Sequence, residues 1–155
     1  GVARRGDRRG EGTPMSRRSR AREVALQSLY QAEVNAAVDP RDRERFHQGR
    51  LRSAPLVAFA DTLVEGVREQ QAEIDALIDA RSENWRLSRM AATDRAVLRI
   101  AAFELLHTDT PGPVVVDEAI ELARRYGSEA SPAFVAGILG NLLADRDGRP
   151  RPAAG

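Results

Sequence analysis

Residues 94–107 read DRAVLRIAAFELLH, and their spacing decides the fold class. Val97, Leu98, Ala101, Ala102 and Leu105 recur at intervals of three and four, the period of an α-helix and not of a strand. Thr108 to Pro113 holds two prolines and a glycine and ends the pattern. Beyond it, Val116, Ala119, Ile120 and Ala123 predict a helix over Val114 to Tyr126, with Gly127 as its left-handed C-terminal residue. Ser131-Pro132 pairs an N-cap residue with proline at the first helical position. Phe134, Val135, Ile138, Leu139, Leu142 and Leu143 then predict a last helix. Val114-Val115-Val116 is the one stretch with strand propensity, and nothing offers it a partner.

Upstream of residue 94, a short turn is expected at Ser88 to Ala92. Before it, Ser82 to Leu87 reads as a connector whose Trp85 serves as a core or groove anchor. Ser53 followed by Pro55 is a helix start, and Leu56, Phe59, Ala60, Leu63, Val64 and Val67 follow helical spacing. The pattern resumes at Ile74, Leu77 and Ile78, and Gly66 leaves open whether one helix or two is formed. Residues 38–52 are charged, contain Pro40 and Gly49, and read as a loop with one helical turn at most. Arg17 to about Ala37 is helical, with Ala21, Ala25, Leu29 and Ala32 on one stripe and Leu26, Tyr30 and Val34 on a second. Residues 1–16 read as a disordered basic arm, 17–145 as one helical domain and 146–155 as a disordered tail. Met15 reads as the natural start, with residues 1–14 an extension.

Composition agrees with an all-α chain. Hydrophobic residues make up 42% but aromatics only 5%, so Ala, Leu and Val must supply the interior. The chain has no cysteine, which excludes disulfides, thiolate metal sites and thiol nucleophiles. No apolar run approaches a membrane span and the basic N-terminus has no apolar signal core, so the expected compartment is cytoplasmic.

The net charge of +1 conceals an asymmetry. Residues 1–23 hold eight arginines against three acids, and the remaining sixteen arginines face twenty acids. A basic arm on a mildly acidic body suggests a polyanion partner. Within it, Arg17, Arg18, Arg20 and Arg22 gather at a helix entrance, where the dipole already favours anions and disfavours cations. Four guanidinium groups placed against local preference point to phosphate contacts. Tyr126 and Phe134 flank the Gly/Ser connector and read as core residues, though an aromatic beside helix N-terminal amides can stack a base. Asp117, Glu118 and Glu121 read as dipole-friendly acids, with Glu121 and Arg125 an i,i+4 pair. His47, set in the expected loop, and His107 have no second histidine at ligand spacing, and no nucleophile motif or phosphate-cradling glycine loop is present. No catalytic residue, metal or cofactor is therefore expected.

Four motifs in register resemble the NusB family. They are Arg17-Arg18 with Ala21-Arg22 and Gln27-Ser28-Leu29-Tyr30; Trp85 with Asp94-Arg95-Ala96-Val97-Leu98-Arg99-Ile100-Ala101 and Glu104-Leu105; Pro113 to Ala123; and Ser131 with Phe134-Val135-Ala136-Gly137-Ile138-Leu139. The sequence departs from the family at Asp117 and Ala136, where Asn is usual, and at Ala130, where an acid is common. The resemblance implies a compact all-α fold of two small helical bundles with about seven helices. It implies a transcription antitermination and rRNA-biogenesis factor, not an enzyme. Such a factor binds single-stranded boxA RNA together with NusE, a small-subunit ribosomal protein, and travels with RNA polymerase and other Nus factors. By position, Arg17, Arg18, Arg20, Arg22, Ser131 and Phe134 are implied to contact RNA, and Tyr30, Glu33, Asp94 and Arg95 to meet NusE. Two alternatives stand beside it. One is a helical homodimeric interaction module. The other is the NusB-like domain of rRNA cytosine methyltransferases without its catalytic domain, whose catalytic cysteine has no counterpart here.

Overall fold

The computed structural model describes residues 14–146 apart from 36, 38 and 84. The arm expected over 1–13 and the tail expected over 147–155 lie outside the described residues. Among the described residues there are seven α-helices and one 3-10 turn, with no strand. In order they are α1 (Pro14–Val34), α2 (Pro40–Leu51), α3 (Ala54–Glu69), α4 (Gln71–Arg81), the turn Leu87–Arg89, α5 (Ala92–His107), α6 (Gly112–Tyr126) and α7 (Ser131–Arg146). The chain divides into two compact units, Gly1–Val64 and Glu65–Gly155.

The first unit contains the largest departure from the sequence reading. Residues 40–51 are a full helix, not a loop. The Asp39 side chain accepts from the Arg41 amide at 2.8 Å and Pro40 takes the first helical position, a strong local start. Its mostly charged sequence masks a narrow inward face on which His47 and Leu51 are buried and Phe46 is half-buried. The helix ends on Arg52 at φ 54°, and the Arg52 amide donates to the Gln48 carbonyl at 3.2 Å. Ala21, Val24, Leu51 and Ala60 form one core cluster, with Phe46, Leu56, Val57 and Phe59 packed against it. On α1 itself, Ala21, Ala25 and Leu26 are buried as expected, whereas Tyr30 and Val34 are exposed.

A polar chain crosses this unit. The Ser28 Oγ and His47 Nε2 lie 2.6 Å apart, and His47 Nδ1 lies 2.6 Å from Asp61 Oδ1. With the proton on Nδ1, the ring donates to Asp61 and accepts from the Ser28 hydroxyl, so both nitrogens are satisfied. The histidine is fully buried and the serine nearly so. The order of bonds is that of a nucleophile relay. With its serine packed among helices and not presented to solvent, the chain works as a cross-helix polar staple joining α1, α2 and α3.

In the second unit α5 is the central element. It packs against α4, α6 and α7, and α6 and α7 also pack on each other. From Ala96 to Leu105 every residue except Arg99 is buried, on every side of the helix. The helical pattern that resumes after Gly66 is a separate helix: α3 ends at Glu69 and α4 begins at Gln71. Gly66 lies inside α3, and a Cβ there would stand 2.2 Å from the Phe103 ring atoms Cε1 and Cζ. The glycine is therefore a matter of space between α3 and α5. Arg99 forks Asp75 with two bonds of 2.9 Å, and Arg81 pairs with Asp145, which ties α4 to α5 and to α7. Trp85 is 55% exposed and anchors no core; the connector is held by Asp79 Oδ1, which accepts from the Leu87 amide at 2.7 Å.

Two outcomes follow from these contacts. Gly66→Ala is expected to lower unfolding stability by about 1–3 kcal/mol through overpacking against Phe103, measured by urea denaturation. His47→Leu, which strands the buried Ser28 hydroxyl and leaves the partly exposed Asp61 carboxylate to solvent, is expected to cost about 1–3 kcal/mol in the same assay.

Candidate nucleic-acid interface

The arginines of α1 fall into two groups. Arg17, Arg18 and Arg20 are exposed, while Arg22 is 1% exposed, so the expectation that it faces outward with Arg18 is corrected. Position explains the difference: residue 22 lies between buried Ala21 and Val24 on the face α1 turns to its own unit's core. The Arg22 Cζ lies 5.1 Å from the centroid of the Phe59 ring, and the Arg18 Cζ lies 4.6 Å from the same centroid. Phe59, assigned to the core by its spacing, is only half-buried and carries both cations. Spacing could not reveal this, because it reports which face of α3 turns inward and not which side chain of α1 lies over it.

The connector between α6 and α7 is a closed hydrogen-bonded loop. Ser131 is 1% exposed, and its hydroxyl oxygen accepts from the Ser128 amide at 2.9 Å and lies 3.1 Å from the Ser128 hydroxyl. The Ser131 amide donates back to the Ser128 carbonyl at 3.1 Å. Ser131 thus shapes the connector from within, and its hydroxyl bonds Ser128 where a cap of the following helix was expected. The first turn of α7 uses the Ala130 carbonyl, which accepts from the Phe134 amide at 3.2 Å. Gly127 is not left-handed: it lies at φ −96° and ψ −165°. Its glycine is needed for space, because a Cβ would meet the Ser131 Oγ at 2.5 Å and the Ala123 carbonyl at 2.8 Å. Ser128, Glu129 and Ala130 are exposed, Phe134 is half-buried, and Tyr126 is 40% exposed rather than a core residue.

The residues expected to meet a protein partner are placed unequally. Tyr30 and Val34, one helical turn apart, are 42% and 57% exposed, with exposed Glu33 beside them. Asp94 is buried, and its Oδ1 has no hydrogen-bond partner among the described residues. Arg95 turns back to its own unit. Its Nη1 donates to the Met90 carbonyl at 2.7 Å and to the Leu87 carbonyl at 3.2 Å, holding the 3-10 turn. Burial, with Arg99 adding to it, holds the Arg95 pKa below the ordinary arginine value. Among the described residues no group of three or more His, Asp or Glu is placed to hold a metal ion, and no helix is long and apolar enough to cross a membrane.

Three comparisons bear on this geometry. The model of the NusB family matches residues 19–144. The transcription antitermination protein NusB of Anaeromyxobacter dehalogenans strain 2CP-1 is 50% identical over 130 residues, covering 83% of this chain and 92% of the relative. That of Sorangium cellulosum is 45% identical over 136 residues, covering 87% and 96%. Among solved structures, NusB of T. maritima superposes with a TM-score of 0.74 at 36% identity, covering 86% of this chain and 92% of that one. The chain also shares its fold, with a TM-score of 0.73 at 23% identity, with a crystal structure of the antitermination factors NusB and NusE in complex with double-stranded RNA, covering 83% of this chain and 97% of that one.

Ser131→Ala is expected to lower stability by about 1 kcal/mol and to speed hydrogen exchange at the Ser128 amide, because that donor loses its acceptor. Exchange monitored by NMR checks the site directly.

Proposed function

The chain belongs to the NusB family, and from that premise we propose that it serves transcription antitermination and rRNA biogenesis by binding single-stranded boxA RNA together with NusE. The observation that carries this reading is the exposed trio Arg17, Arg18 and Arg20 at the start of α1, a concentration of positive charge at a helix end that already favours anions. Those side chains serve as phosphate contacts. They supply affinity and its salt dependence, and they read no sequence.

Sequence selectivity belongs to the connector before α7. Its exposed Ser128, Glu129 and Ala130 offer backbone and short side chains to base edges, and the half-buried Phe134 and exposed Tyr126 offer aromatic faces to an unpaired base. Ser131 contributes by fixing the loop and Arg22 by standing behind the exposed arginines. NusE meets the exposed Tyr30 and Glu33 on α1, with Val34 extending that face. Asp94 and Arg95, within the second unit, serve partner binding indirectly: Asp94 is buried, and Arg95 holds the turn before α5. The further partners are RNA polymerase in its elongation complex and other Nus factors, in the cytoplasm. No catalytic step is assigned to the chain.

Fluorescence anisotropy of a labelled boxA-like single-stranded RNA, with and without NusE, tests the reading. Binding is expected to be tighter with NusE and to weaken steeply as salt rises. Replacing Arg18 and Arg20 by Gln is expected to weaken every RNA alike and to flatten the salt slope by about two phosphate contacts. Phe134→Ala is expected to narrow the gap between boxA-like and scrambled RNA. Identical salt slopes for wild type and the double variant overturn the assignment.

A further inference from the structure

We propose that Phe59 is a positioning residue for RNA binding: its ring holds the Arg18 guanidinium in place as a pre-ordered phosphate contact, with Arg22 backing the same ring. This deepens the RNA-binding reading above and rests on it. The observation is the pair of cations over one aromatic ring, 4.6 Å and 5.1 Å from its centroid, with Arg18 exposed, Phe59 half-buried and Arg22 buried.

The geometry answers a physical problem. Arg18 and Arg22 are four residues apart on one helix, so their like charges repel, and both stand in the half of α1 nearer its positive dipole end. An aromatic face offers negative quadrupole charge at that spot, and it draws a cation without cancelling its charge as a carboxylate does. A cation–π contact uses no N–H donor in a hydrogen bond, so the Arg18 donors turned away from the ring remain for a phosphate. A free arginine must also surrender rotamer freedom when it binds, and a stacked one has surrendered much of it beforehand. Phe59 is fixed in turn by its place against the core of Ala21, Val24, Leu51 and Ala60. The ring therefore transmits the rigidity of the helix pair to a side chain that reaches solvent.

The test is a double-mutant cycle read by anisotropy with the same labelled single-stranded RNA at two salt concentrations. Phe59→Leu keeps an apolar side chain and is expected to weaken binding about three- to five-fold, with the salt slope unchanged. Phe59→Tyr is expected to restore wild-type affinity. In an Arg18→Gln background, Phe59→Leu is expected to make no further difference, since the cation it positions is gone. Equal losses from Phe59→Leu in both backgrounds overturn the proposal and leave RNA binding standing. Wild-type binding that is absent or insensitive to salt overturns the RNA-binding reading and this one with it. Should Phe59→Leu fail to fold, NMR of the wild-type protein decides. Ring-current shifts of the Arg18 side-chain protons support the stack, and random-coil shifts overturn it.

Discussion

Helix α5 has almost no outward face, and the second unit is built to satisfy that constraint. A helix buried on all sides must be covered by neighbours in several directions, and α4, α6 and α7 supply them. Such coverage works only if neighbours approach closely. Ala96, Ala101 and Ala102 on α5 are small enough to allow it, and Gly66 in α3 leaves room for the Phe103 ring. Gly112 at the start of α6 does the same for Leu143 of α7. Two ion pairs of the unit lie at its margins, where Arg99 forks Asp75 and Arg81 meets Asp145.

The functional geometry depends on the same economy of small residues and tied loops. The connector before α7 is exposed at three positions yet fixed from beneath by one buried hydroxyl. The connector before α5 is fixed by an arginine reaching two carbonyls. In both places the side chain facing inward determines what the neighbouring residues can present outward.

Helical periodicity made the fold class, α1 and α5 to α7 legible in sequence, because buried helices carry strong three-and-four spacing; it left open whether α3 and α4 were one helix or two. It missed α2, whose inward face rests on His47, Leu51 and Phe46 among mostly charged neighbours; the start signal Asp39-Pro40 was the usable clue. The exposed Arg17, Arg18 and Arg20 were legible from charge alone, since local helix preference argues against them. Arg22 and Ser131 are buried and Arg95 is half-buried with bonds to carbonyls of its own unit, which charge and spacing did not reveal. Nothing in linear spacing distinguishes a polar side chain at a rim from one that closes a loop. Gly127 taught the same lesson: its residue type was read as a dihedral requirement, while the Ser131 hydroxyl leaves no space for a Cβ. Trp85 and Tyr126, expected inside, are exposed: Trp85 lies in a connector outside any helix, and Tyr126 is the last residue of α6, where the stripe it continues runs out.

The Ser28–His47–Asp61 staple constrains how this lineage can change. Positions 28, 47 and 61 sit on three different helices, yet none can drift alone, because any single apolar replacement leaves a polar group stranded inside. An all-apolar trio of matching shape could be equally stable, since the cost lies in the half-satisfied intermediates and not in the end states. The three positions therefore form one epistatic unit: relatives should carry the whole polar trio or a wholly different packing, with mixed sets rare between them.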